Sequence, residues 1–226
     1  MRICSLALLT ILLTSVLPVK AAVSKPHVIA LGKWTTVPWS SGTEDGKPQT
    51  LKVRALMVDG RVKEYILGVP HEITDRLFVG RRVFRMNDSL PDEANPRWMW
   101  QRGGWLMVDR VSGKVSALNL PEFDALYSAA SWYRDYVAYC GVSDDGQKFE
   151  IVAQVSRRKP VVKKLVAGDK LSENASPDSA CESPVWQRNP TQVSFQPPGG
   201  VKQTYAVRGH IVDVVLDDEP ETEASK

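Results

Sequence analysis

Histidine and cysteine are scarce in this chain, three of each in 226 residues, and beyond residue 19 no apolar run approaches the ~20 residues that a membrane helix needs. His27, His71 and His210 stand alone, without H-x-x-x-H or a comparable ligand spacing, so no metal site is assigned from the sequence. No G-x-S-x-G elbow, phosphate-binding loop or dinucleotide glycine pattern occurs, and no catalytic residue or cofactor is assigned either. An excess of one charge is lacking too: 29 Lys and Arg face 26 Asp and Glu. A near-neutral chain has no long-range field with which to gather nucleic acid or anionic membrane, so neither is expected as a partner.

The one long apolar stretch lies at the start. After Met1-Arg2 it runs from Ile3 to Val19, broken by Ser5, Thr10, Thr14, Ser15 and Pro18, and it closes on Val19-Lys20-Ala21. That order of positive, apolar and small residues is the pattern of a cleaved export signal, with the mature chain starting at Ala22. The expected location is periplasmic or secreted, with no transmembrane segment after cleavage. Losing Arg2 and Lys20 would leave 27 basic against 26 acidic residues. Of the cysteines only Cys140 and Cys181 would remain, which in an exported protein reads as one disulfide.

From about residue 27 to 166, short bursts of alternating apolar and polar residues are separated by Gly, Asp, Asn and Pro clusters. This is the pattern of antiparallel strands joined by tight turns. An all-β fold follows, mainly an antiparallel meander with at most one or two short helices. The clearest hairpin joins residues 51–58 to 61–67 through Asp59-Gly60, a pair suited to the positive φ angles of a primed turn. Leu51, Val53, Ala55 and Met57 share one face of its first strand, and that face is read as buried. Further hairpins are expected around Val111-Ser112-Gly113 and at residues 143–146. Residues 121–133, with Phe123, Leu126, Tyr127 and Ala130 at near-helical spacing, read as a short helix or an ordered loop. The chain then divides into a leader (1–21), a main β domain (22–166), a polar loop (167–189), C-terminal strands packing on the main domain (190–216), and a disordered acidic tail (217–226).

W-L-M-V-D-R-V-S-G-K-V-S-A-L-N-L at 105–120 is followed by W-Y-R-D-Y-V-A-Y-C-G-V-S-D-D-G at 132–146. This order of strand, Ser-Gly-Lys turn, strand, loop, Trp and Asp-Gly turn resembles blades of β-propellers of the TolB-like and WD40-like kind, over residues 105–166. The resemblance implies four-stranded meanders packed face on face, a propeller-like domain. No Trp-Asp dipeptide accompanies it, and residues 27–166 hold about three blades of 40–45 residues.

Exposed aromatic platforms are how many exported β domains read sugars. Trp98 and Trp100, two apart on a strand, share a face, and with Trp105 they are the candidate ligand-binding set. Asp88, Asp92 and Glu93 lie close by, and a glycosidase needs two carboxylates ~5–10 Å apart. The competing reading, which we prefer, has the indoles packing the core and the acids shaping turns. Arg157, Arg158, Lys159, Lys163 and Lys164 form a basic cluster read as protection of an edge strand. Together these features describe an exported, non-enzymatic binding or interaction module with an unidentified protein or glycan ligand. The alternatives are a carbohydrate-binding or glycoside-hydrolysing protein, and an accessory subunit of a cell-envelope complex.

Overall fold

A computed structural model describes residues 26–39, 49–155, 157, 159–168, 170–172, 175, 180–197, 201–208 and 211–215. The expected leader and acidic tail lie outside the described residues. Those residues form strands and turns without any helix, so the all-β class expected from the sequence is what the chain adopts. Among them, no helix is long and apolar enough to cross a membrane.

The first sheet contains β1 (Ile29–Leu31), β2 (Thr35–Trp39), β3 (Gln49–Val58), β4 (Arg61–Glu72), β5 (Leu77–Asn87), β6 (Trp98–Asp109) and β7 (Val115–Leu118). Asp59 and Gly60 both have positive φ, 51° and 75°, and so form the tight turn between β3 and β4. The Asp59 carboxylate also accepts from His27 Nδ1 (2.7 Å) and Val28 N (3.0 Å), tying the start of the described chain to the hairpin tip. From β2 to β6 each strand pairs antiparallel with the next. Four reversals leave β6 parallel to β2, and the two meet at Trp39 and Trp100, so the pairing path returns on itself.

This curvature explains a difference from the sequence reading. Leu51 and Val53 are buried as expected, but Ala55 and Met57 are only half-buried, and Leu56 and Val58 take the core positions instead. One end of β3 feeds a cluster of Val37, Trp39, Leu51, Val53 and Val83. The other end buries its opposite face with Ile66, Phe78, Leu106 and Val108. A strand shared by two cores cannot show one uninterrupted period of two.

The second sheet is β8 (Ala130–Tyr133), β9 (Tyr136–Val142), β10 (Lys148–Gln154) and β11 (Val162–Leu165). Both its faces are covered. Val137, Tyr139, Ile151 and Ala153 pack with Leu120 and Phe123 on one side. Tyr136, Ala138, Cys140 and Val152 meet Val193, Phe195, Tyr205 and Val207 on the other. Burial on two faces accounts for the nearly continuous apolar run of β9.

The third sheet is β12 (Val185–Arg188), β13 (Thr191–Phe195), β14 (Gln203–Arg208) and β15 (Ile211–Val215). Part of the expected polar loop is thus strand β12. The C-terminal strands form their own sheet and pack face to face on the second one. Cys140 and Cys181 are bonded, 41 residues apart, which ties the segment before β12 to the centre of the middle sheet.

The ambiguous stretch 121–133 has no helix: it makes turns and then enters β8. The Asp124 carboxylate accepts from the backbone N–H groups of Leu126 (2.7 Å) and Tyr127 (3.0 Å). Phe123, Leu126 and Tyr127 then enter three different apolar clusters. Their spacing mimics a helix, but the side chains diverge instead of sharing a face.

Candidate functional site

Where the first two sheets meet, a recess opens beside three turns, of which those joining β4 to β5 and β8 to β9 line it. The turn from β4 to β5 is closed by the Ile73 and Thr74 N–H groups donating to the Leu77 carbonyl (2.9 and 3.0 Å). Thr74 Oγ1 accepts from the N–H groups of Arg76 and Leu77 (3.2 and 3.0 Å). Two forked ion pairs lock this turn to the neighbouring one between β6 and β7. Arg76 grips Asp109 (2.9 and 2.5 Å), and Arg110 grips Glu72 (2.7 and 2.8 Å). The Arg76 guanidinium holds the Asp109 carboxyl far below the usual range, and Arg110 lowers that of Glu72.

The third turn joins β8 to β9 through Arg134 and Asp135. Arg134 sits in the left-handed region at φ 52°. Its carbonyl accepts from His71 Nε2 (2.7 Å), which clamps the turn onto the first sheet. Asp135 accepts from the Gln154 side-chain amide (2.6 Å), and its carbonyl accepts from Val155 N (2.9 Å). The recess between these turns has a volume of about 730 Å³. Ile73, Leu77, Met107 and Val155 line it with half-buried apolar side chains, and Arg134 and Asp135 stand at its polar side. A cavity of this size lies within the ~300–1,000 Å³ typical of small-ligand pockets. Among the described residues, Arg134 makes no ion pair. Its guanidinium lies beside the Tyr133 ring, 5.3 Å from the centroid.

An aromatic bridge leads from this recess into a second cleft. His71 stacks on Trp132 (5.6 Å between centroids), and Trp132 meets Trp105 edge-on (5.0 Å). The second cleft, about 550 Å³, is lined by Arg81, Arg102, Trp105 and residues next to Cys181. Its guanidiniums are held by the protein itself. Arg81, 7 % exposed, donates to the Ala125 carbonyl (2.6 Å), and Arg102 donates to that of Leu126 (3.2 Å) while lying over Trp39. These cations anchor the turns after residue 121.

The residues singled out in the sequence fall into separate places. Trp98 and Trp100 do share a face of β6, and the Arg85 guanidinium lies 5.3 and 6.0 Å from their rings. Trp98 is 50 % exposed, whereas Trp100 packs edge-on against Tyr65 (5.2 Å) beside the first core. Trp105 lies seven positions beyond Trp98 along the strand, roughly 23 Å away at ~3.3 Å per residue, and belongs to the second cleft.

Asp88 and Glu93 are engaged within the loop from β5 to β6. Arg97 contacts Asp88 through its carbonyl (2.8 Å) and carboxylate (3.4 Å), and Glu93 accepts from Leu90 N (3.1 Å). Asp92 is exposed in the same loop. None of the three acids lines either cavity.

Asp145, in the turn from β9 to β10, accepts from Lys170 (2.8 Å) and Ser143 (2.6 Å), and the Lys170 contact lowers its pKa to about 2. In the basic cluster, Lys163 and Lys164 lie on β11, an edge strand, and reach Glu122 and Gln203. Arg158 lies outside the described residues. No group of three or more His, Cys, Asp or Glu suited to a metal ion is found among the described residues.

Ile73, Leu77, Met107, Arg134 and Val155 escaped the sequence reading. The one signal they carry is the charged pair Arg134-Asp135 set between Tyr133 and Tyr136, which marks a turn but not what faces it. No protein-family model matches the chain, and no curated protein matches it.

Proposed function

We propose that this protein is an exported, non-enzymatic binding module that takes a small ligand in the recess between its first two sheets. The observation that carries this reading is the convergence of four half-buried apolar side chains from separate strand ends on one space of about 730 Å³. An open apolar recess with polar groups on one side fits an amphipathic guest. The export pattern at residues 1–21 and the Cys140–Cys181 bond support action outside the cytoplasm. The four-stranded antiparallel meanders of the second and third sheets, packed face to face, support a propeller-like reading of that part of the scaffold, whereas the first sheet, closed through the parallel β2–β6 pair, lacks the form of a blade.

Expression of the full chain followed by fractionation tests the first part of this reading. The expected outcome is a periplasmic or secreted protein whose N-terminal residue by mass spectrometry is Ala22. A full-length chain retained in the cytosol would overturn export. For the second part, a polarity-sensitive fluorescent dye should brighten on the folded protein, and Val155→Trp, which sets an indole among the apolar lining residues, should remove most of the signal. An unchanged signal would place the dye elsewhere.

A further inference from the structure

We infer that the recess is selective for small amphipathic carboxylates, with the apolar body seated among Ile73, Leu77, Met107 and Val155 and the head group paired with Arg134. This rests on the binding reading above and adds the chemical class of the guest. The four apolar residues line the recess without being sealed from solvent, so a saturated chain or ring would cover surface that the fold leaves uncovered.

The charges around the opening decide the sign of the head group. Glu72, Arg76, Asp109 and Arg110 are consumed in two forked pairs. Asp135 is half-buried, and its carboxylate accepts from the Gln154 side-chain amide at 2.6 Å. Arg134 is exposed and makes no ion pair among the described residues. A guanidinium fork matches a carboxylate with two parallel hydrogen bonds, which an alcohol cannot replace and an ammonium opposes. The backbone at Arg134 is also held, because its carbonyl is clamped by His71, so the cation is presented from a fixed turn.

Calorimetric titration of the protein as processed on export with decanoate, decanol and decylamine below their micelle concentrations tests the assignment. Decanoate should bind once per chain and at least tenfold more tightly than decanol, with decylamine weakest. Arg134→Gln should weaken decanoate at least tenfold and leave decanol within twofold, and Arg134→Lys should restore part of the loss. Val155→Trp should abolish binding of all three. Ile73→Trp serves the same purpose if that variant does not fold. Equal binding of decanoate and decanol, unaffected by Arg134→Gln but lost in Val155→Trp, would overturn the carboxylate class while leaving the recess a binding site. Folded wild-type protein that takes none of the three probes and gives no dye signal would overturn both readings.

Discussion

Glu150 sits on β10 with 2 % of its surface exposed, facing the third sheet, and its carboxyl accepts from the Tyr205 hydroxyl at 2.5 Å. Burial pushes the Glu150 pKa up, and burial together with the carboxylate pushes that of Tyr205 up as well. A carboxyl whose folded pKa lies above its unfolded one contributes stability that is fully present below the unfolded value. That contribution is lost as pH rises through the folded value. Glu150→Gln keeps an acceptor for Tyr205 and removes the buried charge. Its melting temperature should therefore equal or exceed that of the wild type at pH 7, with the gap closing toward pH 4. Tyr205→Phe should destabilise the protein at pH 7 by about 1.5–3 kcal/mol, the range for a lost hydrogen bond to a charged group. Denaturant melts across that pH range check both. Asp145 runs the other way: its contribution is present above the ordinary aspartate value and fades as pH falls toward about 2.

Among the elements, the hairpins are the part that could be read in advance. Asp59-Gly60, Gly113 and Gly146 all adopt positive φ where turns were expected, because turn geometry is set by two to four consecutive residues. The burial phase of β3 and the course of residues 121–133 could not be read this way, since both depend on which core lies opposite. Gly141 shows such a dependence at one position. A Cβ there would come within 2.6 Å of the Ile151 side chain and 2.9 Å of the Glu122 carbonyl oxygen, which accepts from Val142 N at 2.7 Å. The carbonyl cannot withdraw without breaking that bond. Gly141→Ala should cost about 1–3 kcal/mol in urea denaturation, as overpacking does elsewhere. A loss within experimental error would mean that the turn over β9 gives way freely.

At the scale of the whole molecule, the second and third sheets share one apolar cluster and one covalent tie, while the first meets the second through the His71–Arg134 hydrogen bond and the Trp105–Trp132 ring contact. The Cys140–Cys181 bond joins the middle sheet to the segment leading into the third. In the chain-entropy view, closing a loop of this length is worth roughly 3–4 kcal/mol. The double variant Cys140→Ser, Cys181→Ser should lose about that much stability by chemical denaturation. Equal stability in the two proteins would show that face-to-face packing alone suffices.

What the sequence determined by itself was local: strand periodicity, the turns, and the pairing of the two cysteines left after the expected leader. Each depends on neighbouring residues or on a count. The candidate site was different, because Trp98, Trp100, Asp88, Asp92 and Glu93 cluster along the chain without lining a cavity. Only the tertiary structure brought Ile73, Met107, Arg134 and Val155 together. A recess belongs to the gap between two sheets, and no single strand carries its period.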